Sequence, residues 1–296
     1  MTTSYERDTR AARPRDNESA GKRRRRLPRW SVMGLSLAVI AVVAFLTLAG
    51  TAVAPHDPAA QNLSRIADGP SAQHWLGTDV LGRDTLSRIV AGARSAFIGP
   101  LVIAAGSFLL GNLLGLWAGY RGGRIDGLVM RWVDVMWSIP TLLVLIVLAG
   151  SLGAGYWTTV AILVVLTTPF DTRVVRGATL EQVPRPYVES AKVLGVPDRR
   201  IVLRHIWPNV LPVSIANAFL VFASSVGVLA AMSFLGLGVP PGTPDWGLML
   251  AENQALLFTQ PLAALAPGLM IVVIATAMNL AGDRIHERLS ARGGTA

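Results

Sequence analysis

Five stretches of this 296-residue chain contain no Asp, Glu, Lys or Arg: Ser31–His56, Ser95–Tyr120, Val135–Phe170, His205–Pro244 and Asn253–Gly282. No soluble core element needs runs of that length, whereas a helix crossing a bilayer needs about 20 apolar residues. The run from Val135 to Phe170 has 36 residues, enough for two crossings, with Ser151–Tyr156 as the turn between them. The expectation is an all-α, polytopic membrane protein with six transmembrane helices at 32–54, 97–119, 133–150, 158–171, 211–236 and 261–281. The fourth is short for a full span.

The charge pattern supports that reading and orients it. A net charge of +9 in a soluble chain would suggest a nucleic-acid partner, but here the charges are confined to the segments between apolar runs. With the amino end in the cytoplasm, 23 of the 27 Lys and Arg residues fall on the cytoplasmic side, and only Arg65, Arg83, Arg88 and Arg94 lie outside. Basic residues are retained on the cytoplasmic side, so both termini are expected there. Residues 1–31 hold ten basic and four acidic residues without apolar periodicity and read as a disordered tail. Its KRRRR run (Lys22–Arg26) reads as an anchor to anionic lipid. The absence of Cys removes disulfide, iron–sulfur and thiolate chemistry. The four histidines, His56, His74, His205 and His286, are scattered over different loops, so no metal site is expected.

The most informative polar segment is Tyr187–Val210, YVESAKVLGVPDRRIVLRHIWPNV. It reads as a helix from Val188 to Leu194, a left-handed stop at Gly195, a turn at Val196-Pro197-Asp198 and a second helix from Arg199 to Ile206. Asp198 is placed to cap that second helix, and Pro208 to end it. Tyr187, Val188 and Ala191 can form an apolar seam, either for a partner or for the chain's own helix ends. A second polar segment lies between the first two spans, GTDVLGRDTLSR over 77–88. It reads as a glycine turn and a surface helix at the membrane edge, in which Asp84 and Arg88 are spaced as an i,i+4 pair.

Within the apolar runs, Gly111, Gly115 and Gly119 recur at four-residue spacing and offer a smooth stripe for another helix. Pro140 should kink or open the third span. Asp134, about one turn from Arg131, reads as half of an interfacial ion pair. Asn112, Asn217 and Ser224 are candidates for lining a polar route, while Ser225 and Trp246 read as packing and interfacial anchor. No Walker-type nucleotide motif occurs.

Three of these segments resemble a known family. Glu189-Ser190-Ala191, then Gly195, Ile206 and Pro208, resembles the EAA loop of bacterial ABC-importer permeases, with Ser190 in place of the first Ala and the far end one residue shorter. Gly77, Asp79, Gly82, Arg83, Asp84 and Arg88 resemble the signature of the C-type permeases of dipeptide, oligopeptide and nickel importers, and so does SFLGLG at 233–238 with the Pro/Gly-rich loop after it. The resemblance implies a type I ABC importer permease fold in a bacterial inner membrane. It implies a coupling surface made by Glu189, Ser190, Ala191, Leu194, Gly195, Arg199, Ile206 and Pro208 within a cytoplasmic loop at 172–210. It also implies partners: a second homologous permease, two ATPase subunits that bind ATP and Mg2+, and an extracytoplasmic binding lipoprotein. The chain itself would carry no cofactor and catalyse nothing. Di- or oligopeptides are the expected substrate, with nickel or a nickel chelate as the alternative. An ion-coupled secondary transporter is the rival of another class; it should place acidic residues at mid-membrane, and here they sit at loop ends.

Overall fold

The computed structural model describes residues 29–153 and 155–293. The KRRRR run and the rest of the expected tail before residue 29 lie outside the described residues, and from Arg29 the chain is already helical. Ten α-helices follow: α1 Arg29–Ala49, α2 Thr85–Arg121, α3 Gly123–Ser138, α4 Thr141–Leu152, α5 Tyr156–Gln182, α6 Pro186–Val193, α7 Asp198–Ile201, α8 Trp207–Phe234, α9 Trp246–Glu252 and α10 Pro261–Gly293. No β-strand occurs among the described residues. Val202–Ile206 is a π-helical turn that joins α7 to α8 without a break.

Among the described residues five helices are long and apolar enough to cross a membrane, counting α7 and α8 as one unit, Asp198–Phe234. The expected third span is not one straight helix: α3 and α4 meet at 85°. Pro140 causes the break. Its ring drives the preceding residue out of the helical region, and Ile139 is extended at φ −109°, ψ 133°. The fourth span runs well past its expected end at residue 171, and α5 extends to Gln182. The separate surface helix expected before the second span is instead the first turns of α2, which begins at Thr85 and runs for 37 residues, about 55 Å at 1.5 Å per residue.

The core is where α2, α5, α8 and α10 meet, with Ile103, Leu163, Phe222, Met232 and Ile274 among its buried side chains. The glycine stripe works as a packing surface. A Cβ at Gly115 would lie 2.7 Å from the Thr172 carbonyl oxygen, and one at Gly119 would lie 2.8 Å from Thr179 Cβ. α5 meets that stripe with threonines whose hydroxyls bond back to their own helix, Thr172 to Thr168 O at 2.8 Å and Thr179 to Val175 O at 2.7 Å. The contact therefore leaves no hydroxyl unsatisfied, and the two backbones can approach closely. Outside this core Leu48, Leu109, Leu128, Val147 and Leu269 stand exposed along the helices. So much outward apolar surface suits hydrocarbon and not water.

Candidate functional site

The two polar segments singled out by sequence occupy opposite ends of α2. At its start the backbone folds into a plate. Gly77 and Gly82 take positive φ, 75° and 69°, and a Cβ on either would run into the backbone oxygen of Asp68 or Asn62. Asp84 caps α2: its Oδ2 accepts from Ser87 N at 2.8 Å and from Ser87 Oγ at 2.6 Å. Burial alone would raise the Asp84 carboxyl, but hydrogen bonds from Ser87 and His74 outweigh it and hold the group below the ordinary carboxylate value.

The expected Asp84–Arg88 pair does not form. Because Asp84 is committed to the cap, Arg88 turns away to Glu252, donating from Nη2 to Oε2 at 2.9 Å, and its Nε lies 3.5 Å from Asp79 Oδ2. Arg83 completes the arrangement, with Nε donating to Asp79 Oδ2 at 2.6 Å and Nη2 to Glu252 Oε2 at 2.6 Å. Glu252 Oε1 also accepts from Gly242 N at 3.2 Å, and Arg88 donates to Gly242 O at 3.2 Å. Asp79, Arg83 and Arg88 are fully buried. Two arginines and two carboxylates thus lock the 77–88 segment to α9 and to the Pro/Gly-rich loop. Trp246, expected as an interfacial anchor, is buried instead, its indole N–H donating to Ile89 O at 2.9 Å beside Gly92.

At the other end, the coupling stretch forms a pair of short helices. Gly195, at φ +73°, closes α6, with Val196 N donating to Ala191 O at 3.0 Å and Gly195 N to Lys192 O at 3.0 Å. This is the left-handed stop expected from the sequence. Asp198 does not cap α7. Pro197 occupies the cap position, and Asp198, already helical, accepts from the Tyr120 hydroxyl at 2.7 Å and so ties the turn to the end of α2. Pro208 does not end the helix either. It follows closely on the π-helical turn Val202–Ile206, where the regular hydrogen-bond ladder is already interrupted, and the helix continues to Phe234.

The packing divides the coupling residues into two groups. Val188 and Ala191, at 0% and 6% exposure, pack with Ile201, Val202, Ile206 and Val210 against Leu116 and Val175, so the seam serves this chain's own helix ends. Val193 and Leu194, at 87% and 81%, stand free with Glu189, Ser190 and Arg199, and Pro208 is also exposed. On the same side Asp134 pairs with Arg173 of α5 and not with Arg131, and Asp126 pairs with Arg176. Trp137 stacks on Phe170 beneath the Arg173 guanidinium, which helps hold α3 to α5.

Of the three pathway candidates, Asn112 and Asn217 are buried between helices. Asn112 donates to Ser214 Oγ at 2.6 Å and accepts from Trp207 Nε1 at 3.3 Å, and Asn217 donates to Asp171. Ser224 borders a cavity of about 620 Å³, together with Trp137, Thr141, Thr167 and Asn279. Asp171 overturns the expectation that acidic residues keep to loop ends, for it is buried within α5. Sequence reasoning also missed Glu252. The available signals were an acidic residue flush against an apolar run for Asp171, and two arginines needing partners for Glu252.

Residues 111–292 match the family described as binding-protein-dependent transport system inner membrane component. The chain is 34% identical over 259 residues to the probable D,D-dipeptide transport system permease protein DdpC of Escherichia coli, covering 88% of this chain and 87% of that one. It is 37% identical to the glutathione transport system permease protein GsiD of Pectobacterium atrosepticum, covering 76% and 75%. It is 35% identical to the dipeptide transport system permease protein DppC of Alkalihalophilus pseudofirmus, covering 77% and 75%. Among solved structures, an inward-facing form of the MetNI methionine ABC transporter superposes with a TM-score of 0.57 at 22% identity, over 68% of this chain and 96% of that one, and shares the fold. With its helical membrane architecture and both polar segments in place, the chain belongs to the family of binding-protein-dependent transport system inner membrane components, as the membrane permease of an ABC importer.

Proposed function

We propose that this chain is one half of the membrane pair of an importer for di- or oligopeptides, working beside a second homologous permease. In this reading two separate cytoplasmic subunits bind ATP and Mg2+ and hydrolyse the nucleotide, an extracytoplasmic lipoprotein delivers the peptide, and this chain catalyses nothing itself. Both termini lie in the cytoplasm, so Glu189–Pro208 faces the ATPases and the 77–88 plate faces outward.

The observation that carries this reading is the continuity of α7, the π-turn and α8 beneath an exposed α6 tip. Glu189, Ser190, Val193 and Leu194 present a surface to grip, while the buried Val188–Ala191 face is keyed to Ile201 and Ile206. A push on α6 then moves α8 as a lever and not as a loose loop. The peptide substrate rests on the relatives, three of which are transport permeases for dipeptides or glutathione.

The test is peptide uptake by the assembled complex in vesicles. Gly195→Pro forces φ from +73° toward about −65° and removes the N–H bonded to Lys192, so uptake should fall to background while membrane insertion persists. Because the chain has no cysteine, Leu194→Cys should cross-link to an ATPase subunit and Val188→Cys should not. Uptake that continues without the ATPases but stops when the proton gradient is collapsed would replace this reading with ion-coupled transport.

A further inference from the structure

Two of the four histidines that look scattered in sequence meet at the start of α2. His74 Nδ1 lies 2.8 Å from Asp84 Oδ1, His56 Nδ1 lies 3.8 Å from Asp84 Oδ2, and the two imidazole centroids are 4.8 Å apart. One candidate ligand atom from each of the three residues lies within 4.8 Å of the other two. We propose that His56, His74 and Asp84 bind a divalent transition-metal ion of the zinc class, which clips the end of the first span and the 62–84 segment to the start of α2.

The distances suit such an ion. Ligand bonds of about 2.0–2.1 Å in a tetrahedron place donor atoms about 3.3 Å apart. His74 Nδ1 lies 2.8 Å from Oδ1 and His56 Nδ1 lies 3.8 Å from Oδ2, so one carboxylate oxygen serves both imidazoles once His56 moves inward. His74 needs only to exchange its proton for the ion. His56, the most exposed of the three, has the freedom to swing inward.

The positions of the groups are fixed independently of any ion. Asp84 is held by its cap to Ser87. The same Ser87 Oγ accepts from His56 N at 2.9 Å, which sets the backbone of the first histidine against the helix start. His74 N donates to Ser71 Oγ at 3.0 Å, and His74 O accepts from Gly77 N at 2.9 Å. Three segments distant in sequence therefore converge on one point by backbone design. That point opens on a cavity of about 360 Å³ that also carries Asp57, Gln61 and Gln73, which leaves room for a water or an oxygen donor in the fourth position.

Two imidazoles and one carboxylate form a nitrogen-rich set that favours Zn2+, Co2+ or Ni2+ over the oxygen-seeking Mg2+ and Ca2+. In the alternative arrangement the His74–Asp84 hydrogen bond is a tether and His56 a bystander. The two arrangements predict different roles for His56, whose replacement leaves the His74–Asp84 bond and the Asp84 cap intact.

The full chain, purified in detergent and stripped with a chelator, is titrated with Co2+ and followed by the visible d–d absorption of a tetrahedral site. The proposal expects saturation at one equivalent and displacement of the band by equimolar Zn2+. It also expects loss of the band in both His56→Ala and His74→Gln, and no change in His205→Gln. Helix content by circular dichroism checks that His56→Ala remains folded. A band that survives His56→Ala, or no tetrahedral band in the parent chain at millimolar Co2+, overturns the proposal.

Discussion

The two ends of α2 solve opposite problems with similar residues. At Asp84 the arginines are buried, and every one of them is answered by a carboxylate from another segment. At Tyr120 the charges remain in solvent, and the pairs there, such as Arg121 with Asp198 at 4.0 Å, are about half exposed. The first arrangement fixes shape at a high desolvation cost and tolerates no missing partner. The second holds a helix pair in place at a small desolvation cost and leaves its outer face exposed. The same residue types thus make a rigid clamp at one end and a handle at the other, and burial decides which.

That contrast can be broken from the clamp end first. Glu252→Ala leaves the Nη2 groups of Arg83 and Arg88 buried without their carboxylate acceptor and should cost about 3–5 kcal/mol, read as a large fall in thermal stability in detergent. Gly115→Val, in the last turns of α2, drives a side chain into the Thr172 backbone and the Val175 side chain. It should cost about 1–3 kcal/mol and lower the yield of folded chain. Trp246→Phe keeps an aromatic ring but leaves a small void at a buried site and Ile89 O without its indole donor, a loss of about 1–2 kcal/mol measurable as a shift in unfolding midpoint. Asp198→Ala removes the bonds to Tyr120 and Arg121 in a half-exposed setting and should change stability by less than about 1 kcal/mol. Equal losses from Glu252→Ala and Asp198→Ala would remove the distinction between clamp and handle.

Much of the architecture was legible in the chain because its signals are local. A glycine before a proline turn and a glycine every fourth residue act over one or two helical turns, and an uncharged run is read from contiguous residues alone. Gly195 and the Gly111–Gly119 stripe accordingly sit where expected. Expectations went astray where a local rule met a distant partner. Asp84 and Arg88 have the spacing of an ion pair, but the cap claimed one and Glu252 the other. Asp134 has Arg131 a turn away, yet α5 brings Arg173 to it. Asp198 looked like a cap until the end of α2 supplied a phenol, and Pro208 looked like a terminator although the π-helical turn before it takes up the break in the ladder.

By itself the sequence determined that this is a helical membrane chain, how many apolar runs it has, that α6 stops at Gly195 and which two polar segments carry its resemblance. Those follow from the cost of placing charge in hydrocarbon and from backbone preferences that each residue carries with it. Only the tertiary structure decided that Val188 and Ala191 face inward while Val193 and Leu194 face out, that Glu252 closes the arginine clamp, and that His56 and His74 share one carboxylate. The physical reason is that burial and partner choice depend on which segments meet, and partners such as Arg83 and Glu252, 169 positions apart, carry no mark of each other until the chain has packed.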